Sequence, residues 1–200
     1  IMQGTETNYE TDLFMPIMKK IEEICSIPYM GQMEFKVIAD HIRTLTFALS
    51  DGAVFENVGR GYVLRRLLRR ASRMGKKLNI NREFLSDMVD VVVENYKDTY
   101  PDLVGTKSKV KELIAKEERL FQKTLLAGEK RLEELFNSNV KEISGEDAFK
   151  LYDTYGFPIE LTIEIAEEKG FSVNKSDFEK YMKGQKELAR NISISFQVIV

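Results

Sequence analysis

The sequence predicts an all-α protein: a helical bundle with one long central helix and little or no sheet. Three observations predict it. Apolar residues recur at three- and four-residue steps along most of the 200 positions. Only 4 prolines interrupt them, and sustained strand-like alternation is rare. Between Thr106 and Phe136 the helical period persists with dense charges in between, the mark of one long helix. At this length the chain can hold one large domain or two small ones.

Ile1 to Glu10 has no clear period and reads as a connection from something upstream, so a fragment of a longer chain is expected. Thr11 can cap the first helix, whose buried stripe is Leu13, Phe14, Ile17, Met18, Ile21 and Ile24. Pro16 removes a backbone donor, so the regular helix can begin there instead. It ends before Pro28 and Gly31. A second helix runs from about Glu34 to Ser50 with Phe35, Ile38, Ile42, Leu45 and Leu49 inward, stopped by Asp51 and Gly52. It carries the single histidine, His41, one turn from Val37 and Leu45. A helix–helix contact is the expected role. Catalysis is the sharper alternative, with no nucleophile or metal partner nearby in sequence.

Asn57 to Lys77 organises the rest. Val63, Leu64, Leu67, Leu68 and Ala71 form an apolar stripe. Arg65, Arg69 and Arg73 stack on another face, with Arg66 and Arg70 beside them and Arg60 between two glycines ahead. No acidic residue occurs between Glu56 and Glu83. Two readings stand at this point. The arginines pair with acids from elsewhere in the fold, or they face a polyanion, for which the planar guanidinium fork is suited. Asn57 can cap the turn or read a base edge. Because the chain's net charge is −2, any nucleic-acid contact must come from such a local patch.

Asn81 can cap the next helix, about Arg82 to Tyr100, with Phe84, Leu85, Met88, Val92 and Tyr96 inward; Pro101 and Gly105 break it. The long helix follows, its stripe being Val110, Ile114, Phe121, Leu125, Leu132 and Phe136, with Gly128 a soft point. Ser144 and Asp147 resemble a capping box for a helix through Tyr152. Asp153 to Pro158 reads as a tight turn anchored by Tyr152, Tyr155 and Phe157, with Asp153 capping it or standing on it as a rigid acceptor. Pro158 opens a helix that Gly170 closes. Ser176 with Glu179 caps a last helix ending near Arg190. For Asn191 to Val200, an edge strand and a disordered end both fit. The expected organisation is a lead-in over 1–10, a bundle with the arginine helix over 11–137, a second helical part over 138–190 and a tail over 191–200.

Cys25 has no partner for an internal disulfide, which fits a reducing, intracellular compartment. No cysteine–histidine cluster has zinc spacing, so no metal site is expected in this chain. No apolar run has membrane-spanning length, and no signal-peptide pattern opens the chain.

Four motifs taken together resemble the alanyl-tRNA synthetase family: Asn8 to Phe14, Ala39 to Arg43, Asn57 to Ser72 and Leu151 to Leu161. The resemblance covers most of Ile1 to Arg190; the tail after Arg190 does not share it. It implies the helical middle region that recognises the tRNA acceptor stem, in the cytoplasm. The class II catalytic core would precede it and the editing domain would follow in the same parent chain. ATP and magnesium belong to the former and zinc to the latter, so this chain would hold no cofactor, contribute no catalytic residue and be inactive alone. By resemblance, Asn57 and Asp153 read a G·U pair, while Arg60, Arg65, Arg66, Arg69, Arg70 and Arg73 hold the tRNA backbone. The rivals are a helical module that docks an acidic protein and a general RNA-binding bundle.

Overall fold

The computed structural model describes residues 4–138 and 141–197. Its elements run α1 (Met15–Cys25), α2 (Met33–Ser50), α3 (Gly59–Lys77), α4 (Leu85–Tyr96), α5 (Asp102–Phe136), β1 (Glu142–Ile143), α6 (Gly145–Tyr155), α7 (Ile159–Glu168), β2 (Ser172–Val173) and α8 (Lys175–Gln197). The all-α expectation holds. Among the described residues the sheet is one parallel pair, with Glu142 opposite Ser172 and Ile143 opposite Val173. The chain divides into two compact units after Gln122, inside α5.

In the first unit α2 lies against α1, α3 and α4, and its predicted inward face, from Phe35 to Leu49, is wholly buried. The α1 stripe is shorter than predicted. Phe14, Ile17, Met18 and Ile21 are buried, Ile24 is half-buried, and Leu13, ahead of the helix, is exposed. Pro16 sits in that turn, where its missing donor costs nothing. Thr11 does not cap α1 with its side chain: its hydroxyl donates to the Asn8 carbonyl. Its backbone carbonyl instead accepts from Phe14 and Met15.

Asn81 does not cap α4 either. The Glu118 carboxylate, on α5, accepts from the backbone N–H groups of Phe84 and Leu85 at 3.0–3.3 Å. It thereby satisfies donors that the first turn leaves open. Gly105 does not break a helix but lies within the first turns of α5.

In the second unit the Ser144 capping box forms as predicted. Asp147 N–H donates to Ser144 Oγ at 3.1 Å, and that hydroxyl donates to Asp147 Oδ2 at 2.9 Å. Arg131 of α5 adds an ion pair to Asp147 at 2.7 Å. The helix runs three residues further than expected, so Asp153, Thr154 and Tyr155 belong to α6 rather than to the turn. Gly156, at φ 67°, ends it, and the Phe157 N–H returns to the Leu151 carbonyl. Phe157 is fully buried, and α5 accommodates it at Gly128. A Cβ there would lie 2.3 Å from the Phe157 ring. Gly128 is thus a packing notch in a continuous helix. Asn174, not Ser176, caps α8, accepting from Asp177 N–H at 3.0 Å. The helix continues through Gln197, so the predicted tail is helical over 191–197, and 198–200 lie outside the described residues.

Candidate nucleic-acid interface

The arginine helix is α3, as predicted, but its faces differ from the predicted ones. Leu64, Leu68, Ala71, Met74 and Gly75 are buried, Leu67 is half-buried, and Val63 is exposed. The loop ahead of α3 folds back on its first turn. Gly61 permits this: a Cβ there would lie 2.5 Å from the Val54 carbonyl oxygen and 2.7 Å from Glu56. This holds Asn57 at the exposed rim of the helix start. Asn57 does not cap the helix. Its Oδ1 instead accepts a hydrogen bond from Arg65 Nη1.

The predicted rail is divided by Glu117 of α5, which is only 4% exposed. Glu117 Oε1 accepts from Arg69 Nη2 at 3.0 Å. Arg65 Nε lies 2.8 Å from the same oxygen, an ion pair without hydrogen-bond alignment, since that N–H finds no acceptor. The Arg65 and Arg69 side chains are 20% and 14% exposed. Arg69 also lies over the Phe121 ring, 5.5 Å from its centre. Burial lowers the Arg69 pKa, and Glu117 opposes the shift. Arg73 is buried at 6% exposure. Arg66 is half-buried, while Arg60 and Arg70 are exposed. Arg65 and Arg69 thus share a buried counter-charge, 48 residues away in sequence from Arg69. Glu117 is the residue that sequence reasoning missed. Its signal was a gap: the apolar stripe of α5 steps from Ile114 straight to Phe121 across Glu117 and Glu118.

His41 is buried, in the electrostatic reach of Arg66 and Arg70. Burial lowers its pKa most, Asp40 opposes this, and the two arginines reinforce it. Its Nδ1 lies 3.4 Å from Asp40 Oδ2, and its Nε2 has no partner. Its place is the helix contact that the sequence predicts.

In the second unit, Asp153 is exposed on the last turn of α6. Its Oδ1 accepts from Gln185 Nε2 of α8 at 2.6 Å. A carboxylate has further lone pairs to offer beyond that bond. Beside it, Gln185 joins Phe149, Tyr181, Lys180 and Gly184 in lining a groove, with Phe149 and Tyr181 stacked at 5.8 Å. Among the described residues no group of three or more His, Cys, Asp or Glu side chains is placed to hold a metal ion. No helix of those residues is long and apolar enough to cross a membrane.

A family model described as tRNA synthetases class II (A) matches residues 1–198. The alanine–tRNA ligase of Acholeplasma laidlawii is 51% identical over 191 residues, covering 96% of this chain and 22% of that protein. Those of Bacillus mycoides and Bacillus anthracis are 52% identical over 199 residues, covering 95% of this chain and 23% of theirs. The chain therefore spans less than a quarter of the length of these curated relatives.

Proposed function

The chain belongs to the class II (A) tRNA synthetases, and from that premise we propose that it is the acceptor-stem recognition region of an alanine–tRNA ligase. Its task is to read a G·U wobble pair from the minor groove. In the whole protein, alanine would be activated with ATP and magnesium and joined to tRNA. That chemistry, and a zinc-bearing editing step, would lie in other domains of the parent chain.

The physical argument starts from RNA. Its minor groove is wide and shallow, and the exocyclic amino group of guanine projects into it as a donor. The matching protein group is an oxygen acceptor. Asp153 offers a carboxylate with lone pairs left after Gln185. Asn57 offers an amide whose carbonyl retains a lone pair after Arg65. Carboxylates are repelled by phosphates, so cations must seat the strand, and phosphate contacts set register while base contacts set identity. Arg60, Arg66 and Arg70 take that part. Arg65 and Arg69, already paired with Glu117, support the site from behind.

The observation that carries this reading is the placement of Asn57: an exposed amide at the start of the arginine helix, held from inside the fold, with exposed Arg60 three residues on. The test is binding of acceptor-stem RNA hairpins by the full-length protein, with a G·U or a G·C pair, at two salt concentrations. Affinity should fall steeply with salt. Asn57→Ala and Asp153→Ala should each remove about 1–3 kcal/mol of G·U preference. Arg60→Ala should weaken both stems alike and reduce the salt slope by about one. Salt-independent binding would favour a protein-docking module, and equal binding of both stems a general RNA-binding bundle. The 200-residue chain alone should show no alanine-dependent pyrophosphate exchange; robust exchange would contradict the assignment.

A further inference from the structure

We propose that Glu117 is a positioning residue for base reading: from a buried seat on α5 it fixes Arg65, and through Arg65 it fixes the Asn57 amide. This rests on the reading of Asn57 given above. The connection is continuous. Glu117 Oε1 holds Arg69 Nη2 at 3.0 Å and lies 2.8 Å from Arg65 Nε. Arg65 Nη1 then donates to Asn57 Oδ1.

Chemistry makes this arrangement directional. A guanidinium only donates, so only the carbonyl side of Asn57 can face Arg65. The amide NH2 is thereby turned away from Arg65, and one of two orientations that differ little in shape is selected. Asn57 is exposed, and its side chain makes no cap on α3, so the bond to Arg65 is what distinguishes those orientations. Arg65 in turn needs Glu117. Two guanidinium groups in a mostly buried seam repel each other unless a carboxylate lies between them. Without that charge Arg65 is free to leave for solvent or for a phosphate. It would then release Asn57 and add one unspecific cation to the surface.

This gives Glu117 a signature that a merely structural residue lacks. Neutralising it should lower discrimination while raising the salt dependence of binding. In Glu117→Gln the G·U preference should fall about five-fold, the worth of one immobilised side chain. The salt slope should steepen by about one. Arg65→Lys keeps the charge but lacks the fork that spans Glu117 and Asn57. It should lose the same preference with the slope unchanged, and it serves if Glu117→Gln does not fold.

The experiment reads two quantities. One is the Asn57 side-chain amide signal of the free chain by NMR, and the other is the stem preference of the full-length protein. Distinct, restrained amide signals in the wild type that become averaged in either variant are the expected result. Unchanged amide signals in both variants overturn the proposal, whatever RNA binding shows. A preference that survives in both variants overturns it too. A wild type with no G·U preference instead defeats the reading of Asn57, and the amide signals still decide whether Glu117 orients it.

Discussion

The surroundings of Asn57 and of Asp153 are built by different physics. Asn57 is held by charge: a buried carboxylate, two guanidinium groups and a loop folded on a glycine. Asp153 is held by shape. Its helix ends at Gly156, is pinned by the buried Phe157 ring in the notch at Gly128, and leaves the carboxylate in solvent with one amide partner. A long helix serves both, with Glu117 and Glu118 at one level and Gly128 at another. The lesson is that the same element can supply a counter-charge to one site and room for a ring to the other. Titration should therefore disturb the first unit and cavities the second.

The largest effect expected concerns Glu118. It is fully buried, and burial pushes its pKa up to about 8, against the backbone N–H groups of Leu85 and Phe84. A folded-state pKa above the unfolded value of 4.5 stabilises the protein fully below that value. The contribution is lost as pH rises through about 8. Glu118→Gln keeps an acceptor for the α4 cap and removes the charge. Urea denaturation from pH 5 to pH 9 should show the wild type losing about 4 kcal/mol relative to the variant. Parallel pH curves would sink the account of Glu118 as a buried acid that resists ionisation.

Next in size is Phe157→Ala, which should destabilise the second unit by about 3–5 kcal/mol by emptying the notch at Gly128. Denaturation followed by near-ultraviolet circular dichroism checks it, and a loss below about 1 kcal/mol would show that the ring does not anchor the turn. Smaller again is Gly61→Ala. The added Cβ meets the Val54 carbonyl and Glu56, so the loop must move, at about 1–3 kcal/mol, and the G·U preference should drop with it. Retained preference would show that the folded loop does not place Asn57. The smallest is Gln185→Ala, which removes an exposed partner of Asp153 and should change stability by less than about 0.5 kcal/mol. A larger loss on melting would mean that this bond, not the packed turn, holds the helix end.

Helices were legible wherever an apolar stripe was unbroken: the predicted inward faces of α2 and of α4 are buried residue for residue. Caps were legible in part: one local pair was found, one local pair was displaced by a neighbouring Asn, and one cap comes from another helix. Ser144 and Asp147 are three residues apart and behave as the pattern says. Asn81 and Ser176 had the right chemistry nearby but lost to Glu118, 34 residues from Phe84, and to Asn174. The arginines were legible as a patch, but not their division, because the counter-charge comes from another helix. Even so, both interruptions of the α5 stripe were informative. The gap before Phe121 holds the buried Glu117 and Glu118, and the gap before Leu132 holds the glycine that Phe157 packs against. An apolar period that skips a beat marks a buried ionisable group or a close approach.

The proposal that most needs a test is that Asn57 and Asp153 both contribute to the G·U preference. A double-mutant cycle on G·U-over-G·C preference, with Asn57→Ala, Asp153→Ala and the pair, tests it most directly. Groups that share a base pair must couple, so the double variant should lose clearly less preference than the sum of the singles, by about 0.5 kcal/mol or more. Single variants that keep the wild-type preference would contradict it.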